Sequence, residues 1–181
     1  MSVTAMGVPA RAATPLAGDL TLDTLPDRDL DQDELRSLAS YLALRPELWE
    51  HHLAFDDDNR VYVSLYRDAH VDVWLLCWTP ENDTGFHDHD ISSGAVAVVS
   101  GTLLEYNLAI DNQAIETPVE GGMIFSFGPD HIHRLTGAVH GSVSVHAYSP
   151  PLWRMGQYSV GADGRLRRQS VSYADELRPI D

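Results

Sequence analysis

The sequence contains one cysteine, Cys77, and no apolar run approaching the roughly 20 residues that span a bilayer. A single cysteine excludes an internal disulfide and fits a reducing cytoplasm. The first residues lack the continuous apolar core of a signal peptide, so we predict a cytoplasmic protein. Basic residues are also few, 12 against 27 acidic ones, and the formal net charge is −15. Because nucleic acids and anionic membranes attract basic surfaces, neither is an expected partner.

The length predicts a single folded domain. With 181 residues, the chain is long enough to bury a sizeable core. Residues 1–20 are rich in Ala, Gly, Pro and Thr, so we predict a flexible N-terminal arm over 1–25 and one domain over 26–181. No pattern specifies the oligomeric state, and we expect a monomer or a small homo-oligomer.

A short helical segment is predicted at the start of the domain, over about 31–53. Asp31 precedes Glu34 in capping-box spacing, and the leucines that follow form an apolar stripe broken at Pro46. Pro46 favours the first turn of a second short helix that ends near His52.

From residue 60 onwards the sequence changes to short strands separated by turn residues. Many short strands at this spacing indicate a sandwich or barrel, so the predicted fold class is all-β. Asp163-Gly164 is typical of a hairpin turn, which adds an edge strand near the C-terminus. The predicted strands are 60–66, 71–79, 94–100, 102–109, 113–118, 122–128, 132–137, 141–149 and 156–160.

Four histidines are candidates for a metal site. His87 and His89 are separated by one residue, so on a strand their side chains project from the same face. A third imidazole from another strand would complete a three-nitrogen cap that leaves half of a metal's coordination sphere open. His131 and His133 share the parity that this requires, and only one of them is needed.

The neighbours of this motif and the other histidines are weaker candidates. Asp88 and Asp90 fall on the opposite face of the strand from His87 and His89, so they are poor ligands for the same ion. A lone histidine is more often a surface or core residue than a ligand, and we interpret four of them in this way: His51, His52, His70 and His140.

A polar row runs along the predicted strand 141–149. Ser144, His146 and Tyr148 point one way, and apolar side chains alternate with them. In a closed barrel such a row lines the interior, where polar groups must be hydrogen-bonded or lie near a ligand. We interpret the row as support for a site, and a solvated sheet face is the alternative.

These motifs resemble those of the cupins and, within them, of the cysteine dioxygenase type I family of thiol dioxygenases. The resemblance covers about residues 49–158 and implies a jelly-roll-like cupin β-barrel with a short N-terminal helical segment. The matching segments are Cys77-Trp78, Gly85 to His89, Gly101, Pro129 to Arg134, and Ser144 to Pro151.

The resemblance also implies roles for individual residues. It implies that iron(II) is bound by His87, His89 and His133, the last in preference to His131. It implies that Tyr148 is the active-site phenol and that His146 and Ser144 form a relay behind it. In this family the Ser-Pro bond corresponding to Ser149-Pro150 is typically cis.

At two positions the sequence departs from the family pattern. Animal members carry a cysteine cross-linked to the tyrosine, and here Gly94 takes its place, so Tyr148 is expected to carry no cross-link. Cysteine dioxygenases hold the substrate carboxylate with the arginine of a Tyr-x-Arg triplet. Aligning that triplet with Tyr62-Val63-Ser64 puts Ser64 in the arginine's place, and serine cannot supply a bidentate charged fork. The candidate substrate-binding residues are therefore Tyr62, Ser64, Arg67, Arg154 and His131.

The resulting hypothesis is a non-haem iron(II) thiol dioxygenase, which adds both atoms of O2 to a small thiol and yields a sulfinic acid. Cysteine is the family's substrate, and Ser64 favours another thiol or thione such as ergothioneine. Three alternatives stay open: a 3-mercaptopropionate-type dioxygenase, a non-catalytic metal-binding cupin, and an isomerase or hydrolase with zinc or manganese, because three imidazoles do not choose the metal.

Overall fold

Two six-stranded antiparallel sheets form the body of the protein, in a computed structural model that describes residues 12–108 and 114–172. The first sheet has the order β1-β8-β5-β10-β3-β2 and the second has the order β12-β11-β4-β9-β6-β7. The all-β prediction is confirmed, and the observed strands follow the predicted ones closely. The strands are β1 Thr14–Pro15, β2 Val61–Arg67, β3 Asp72–Trp78, β4 His87–Asp88, β5 Ser93–Ser100, β6 Thr102–Leu108, β7 Ala114–Glu120, β8 Met123–Phe127, β9 His133–Gly137, β10 Ser142–Ser149, β11 Arg154–Val160 and β12 Leu166–Ser172.

The predicted helical segment begins as expected. Helix α1 spans Gln32–Ala43, and the Asp31 carboxylate accepts the backbone N–H of Glu34 at 2.9 Å. The Glu34 carboxylate accepts the N–H of Asp31 in return, which completes the capping box. Beyond α1 the structure has two 3-10 turns, Pro46–Leu48 and Glu50–His52, where the sequence predicted one short helix. Between them the buried Trp49 indole donates to the Leu42 carbonyl, so it ties this segment to the end of α1.

The segment before α1 differs in part from the expected flexible arm. Residues 1–11 lie outside the described part of the chain. Thr14 and Pro15 pair with β8, and four leucines (Leu16, Leu20, Leu22 and Leu25) pack against the core. Burial of these apolar side chains offsets the entropy of ordering the segment.

Side-chain alternation produces two cores from the same strands. One face of β10 contributes Val143, Val145 and Ala147 to a core shared with α1, whose Leu35 and Leu38 are fully buried. The second core lies between the sheets and includes Trp78, Phe127 and Tyr148. The polar row of β10 therefore faces the inter-sheet space.

Within the described residues no helix is long and apolar enough to span a membrane.

Candidate metal centre

Three imidazoles converge between the sheets. His87 lies in the two-residue strand β4, His89 follows it, and His133 begins the neighbouring strand β9 directly opposite His87. The ring centroids are 4.8 Å apart for His87–His89, 4.8 Å for His87–His133 and 5.1 Å for His89–His133. One nitrogen of each ring lies within 4.8 Å of those of the other two, and all three residues are buried. This geometry suits a single shared ion.

Hydrogen bonds at Nδ1 orient two of the three rings, those of His87 and His133. His87 Nδ1 donates to the Gly85 carbonyl at 3.0 Å, and His133 Nδ1 donates to the Glu105 carboxylate at 2.9 Å. In His87 and His133, Nε2 is then the nitrogen left to face a metal, since the other ring nitrogen of a histidine ligand usually donates a hydrogen bond. His133 Nε2 and both ring nitrogens of His89 are buried and have no hydrogen-bond partner. Such atoms call for an explanation, and a metal ion provides one.

The lowered pKa values of the three histidines favour neutral rings, which can bind a metal, over protonated rings. Burial lowers the pKa of His87, His89 and His133, so the three rings are neutral near pH 7. A neutral imidazole has the lone pair that a metal needs. Asp88 points away from the three rings, as its parity predicted. Its carboxylate accepts a hydrogen bond from Arg168. The protein residues therefore fit a divalent metal held by three nitrogens.

Glu105 is a functional residue that the sequence analysis missed. Its buried carboxylate oxygen accepts hydrogen bonds from His133 Nδ1 and from His131 Nε2, each at 2.9 Å. Burial alone would raise the pKa of Glu105, but these two hydrogen bonds outweigh it and lower the pKa to about 2. Strand parity was the available signal, since Glu105 shares a face with the fully buried Leu103. His131 is thus placed beside His133 through a shared carboxylate.

The polar row of β10 forms a hydrogen-bonded chain. The Trp78 indole donates to Ser144 Oγ at 2.9 Å, and Ser144 Oγ lies 2.8 Å from His146 Nε2. His146 Nδ1 lies 3.1 Å from the phenol oxygen of Tyr148. Burial, with a smaller contribution from the Arg60 guanidinium, lowers the pKa of His146 to about 3, so this ring is neutral.

One tautomer of His146 makes the chain run from Trp78 to Tyr148. The indole of Trp78 only donates, so Ser144 Oγ accepts from it and keeps a hydrogen that it can give to His146 Nε2. With its proton on Nδ1, His146 then donates to the phenol oxygen of Tyr148.

A cavity that is partly open to solvent lies beside these groups. Its polar lining includes His87, His146 and Tyr148, and Arg60 supplies a positive charge. The sequence analysis missed Arg60, which precedes β2 and lies two residues before the aligned triplet. The Arg60 guanidinium donates to the Asp83 carbonyl at 3.2 Å and lies 5.5 Å from the centre of the Trp78 ring. After burial, the charge of Arg60 contributes to the lowered pKa of His87 and of His146.

None of the five substrate-binding residues predicted from the sequence lines this cavity. Arg67 pairs with the buried carboxylate of Asp72 at 3.2 Å, and its guanidinium lies over the exposed ring of Trp153. Arg154 is 67% exposed and lies 3.5 Å from Asp90. Tyr62 and Ser64 are exposed on β2, where Tyr62 packs on Trp74. Tyr62, Ser64, Arg67 and Arg154 therefore lie outside the lining of the cavity.

Phe127 fills the space in front of Gly94. Its ring stacks on His89 at 4.5 Å and on His131 at 5.3 Å between centroids. Gly94 lies opposite Tyr148 in the β5–β10 pair, and a Cβ at this glycine would overlap the Phe127 ring. The Ser149-Pro150 peptide bond that follows Tyr148 is cis, as the resemblance implied.

We therefore expect Gly94→Ala to destabilise the protein. Overpacking a filled core typically costs about 1–3 kcal/mol, and urea unfolding measures the change. Gly128→Ala is the matched control, because a Cβ there would meet only Gln32 Nε2, at 3.4 Å. Equal stability of the two variants would contradict the packing described here.

Comparison with known proteins gives one family match. The family model Cysteine dioxygenase type I matches residues 3–160. None of the curated proteins compared with this chain matches it. A protein of Klebsiella pneumoniae with a double-stranded beta-helix domain is 12% identical, with 66% of this chain and 91% of that one covered and a TM-score of 0.49. An RmlC-like cupin protein of Desulfovibrio desulfuricans is 16% identical, with 55% and 90% covered and a TM-score of 0.47.

Proposed function

Since the chain belongs to the cysteine dioxygenase type I family, we propose that it is an iron(II)-dependent dioxygenase of a small thiol that carries a carboxylate. The observation that carries this proposal is the convergence of three neutral imidazoles at a cavity that also holds a phenol and a guanidinium. Iron(II), when bound, supplies the activation of dioxygen, and the product is a sulfinic acid. His87, His89 and His133 hold the metal.

The absence of a carboxylate ligand suits a thiol substrate. The positions where most cupins add a glutamate are Ser93 and Gly94, and Glu105 is engaged behind His133. Three neutral ligands leave a ferrous ion its full positive charge, which favours an anionic thiolate as the incoming group. The cap of three nitrogens also leaves room for two further partners, the thiol and dioxygen.

Arg60 narrows the substrate class. A guanidinium binds a carboxylate through two parallel hydrogen bonds, and an arginine at this place takes over the role for which Ser64 is unsuited. The residues that line the cavity include Arg60 but no Asp or Glu that would pair with a substrate ammonium. This favours a mercaptocarboxylate such as 3-mercaptopropionate over cysteine, which carries an ammonium, and over the zwitterionic thione ergothioneine, which carries a quaternary ammonium.

Tyr148 and the chain behind it complete the proposed site. His146 holds the phenol oxygen, so the phenol O–H can donate to the substrate or to dioxygen in the cavity. Leu135, Leu152 and Met155 give the cavity apolar walls beside these polar groups.

Arg60→Met tests the substrate assignment. We expect KM for 3-mercaptopropionate to rise at least about tenfold, since losing a charged partner of a buried carboxylate costs several kcal/mol. KM for 2-mercaptoethanol, which has no carboxylate, should change little. Oxygen-electrode kinetics with both thiols provide the measurement. A rise in KM with Arg154→Met instead would assign the carboxylate to the exposed arginine that was one of the candidates from the sequence.

A further inference from the structure

The strand β12 lies beyond residue 160, where the family match ends, yet it reaches back to the metal-binding motif. We propose that Arg168 of β12 is a positioning residue that holds His87 and His89 in place through Asp88. This inference rests on the metal centre of the proposed function.

The contact between β12 and the motif is specific. Arg168 Nε donates to Asp88 Oδ2 at 2.6 Å, and its Nη2 donates to Asp88 Oδ1 at 2.8 Å. Two parallel bonds of this kind fix direction as well as distance. The Tyr158 phenol also donates to Asp88 Oδ2, at 2.6 Å, and the Gly156 N–H donates to Oδ1 at 3.1 Å. The carboxylate side chain is only 9% exposed and that of Arg168 is 37% exposed.

Asp88 is the residue between the two ligands. Its side chain leaves β4 on the face opposite to His87 and His89, so a shift of its carboxylate moves the backbone that carries both imidazoles. Strand β4 is only two residues long and pairs with β9 at one position and with β11 at two. So short a ladder holds a strand weakly, and side-chain anchors then determine its position.

The contact between Arg168 and Asp88 requires a residue without a side chain at Gly156. Gly156 on β11 lies opposite Asp88, and a Cβ at this position would overlap both the Arg168 guanidinium and the Asp88 carboxylate.

The positioning role of Arg168 can be distinguished by experiment from a purely structural role in holding β12 against the rest of the fold. If Arg168 only fastened β12 to the body, its loss would lower thermal stability without changing the affinity of the folded protein for metal. If it positions the ligands, the folded variant binds metal more weakly. Residues that orient metal ligands typically change metal affinity by about 10–100-fold when replaced.

The test compares variants of the full chain at a temperature where circular dichroism shows each of them to be folded. Cobalt(II) affinity is measured by competition with a chromophoric chelator for wild type, Arg168→Ala, Arg168→Lys and Asp88→Asn. Arg167→Ala is the matched control, because Arg167 is the preceding residue, is 66% exposed and pairs with Asp163. We expect about 10–100-fold weaker binding for Arg168→Ala, a smaller loss for lysine, which lacks the fork, and no change for Arg167→Ala.

Each outcome decides the question. Cobalt affinity of folded Arg168→Ala and Asp88→Asn within about threefold of wild type would overturn the inference, whatever happens to their melting temperatures, and would leave the proposed function intact. Equal losses in Arg168→Ala and Arg167→Ala would also overturn it. A wild-type protein that bound no cobalt or iron would overturn the proposed function and this inference together.

Discussion

His133→Ala should abolish stoichiometric metal binding. The variant retains two of three nitrogens, and the Glu105 carboxylate loses one of its two hydrogen-bond donors. We expect less than about a tenth of the wild-type metal content after iron(II) loading and desalting, because both the ligand set and its support are lost. Metal analysis of the purified protein provides the measurement, and catalytic turnover should disappear with the metal.

Two further histidine variants make this result specific. His140→Ala is the matched control, since His140 is exposed and packs only on Phe55 among the described rings. His131→Ala separates the two histidines that share a parity, and it tests the second group whose atoms lie close enough to hold a metal, Glu105, His131 and His133. We expect this variant to retain metal, because His131 Nε2 is engaged in a hydrogen bond with Glu105. Full metal content in His133→Ala, or its loss in His131→Ala instead, would remove His133 from the ligand set.

Tyr148→Phe should keep the metal and lose most of its turnover. The phenol belongs to the cavity and not to the three-nitrogen cluster, so the metal content should match that of wild type. In the proposed function its O–H is the proton donor, and removing such a donor typically slows a reaction about 10²–10⁴-fold. We expect the loss in kcat rather than in KM, because Arg60 still binds the carboxylate.

The measurement is steady-state oxygen consumption with 3-mercaptopropionate by iron-loaded protein. Tyr41→Phe is a suitable control, since Tyr41 lies in α1 and contacts Arg45 at the far side of the first sheet. A Tyr148→Phe variant whose kcat stayed within about twofold of wild type would exclude the phenol from proton donation.

Local rules predicted the parts of the site that depend on neighbours along the chain. The one-residue spacing of His87 and His89 gave their common face, and the alternation along β10 gave the inward row of Ser144, His146 and Tyr148. The capping box of Asp31 and Glu34 marked the start of α1. In each case a short repeat, of two or of about 3.6 residues, determines where a side chain points.

The parts that were missed depend on contacts between distant residues. Glu105 and His133 meet only because β6 pairs with β9, and Arg168 meets Asp88 only because the last hairpin folds back on β4. Arg60 lies just before a strand, where alternation gives no reliable direction. Arg67 was a reasonable candidate by charge, but its partner Asp72 could be identified only from the register of β2 and β3.

The central claim is that iron held by three imidazoles inserts both atoms of dioxygen into a thiol sulfur. Its most direct test is the reaction of iron-loaded wild-type protein under 18O2 with 3-mercaptopropionate, cysteine and ergothioneine in parallel, followed by mass spectrometry of the products. We predict a sulfinate that carries two 18O atoms, formed fastest from 3-mercaptopropionate, with one O2 consumed per product. Absence of oxygen uptake with all three thiols, or a product whose oxygen comes from water, would contradict the proposed function.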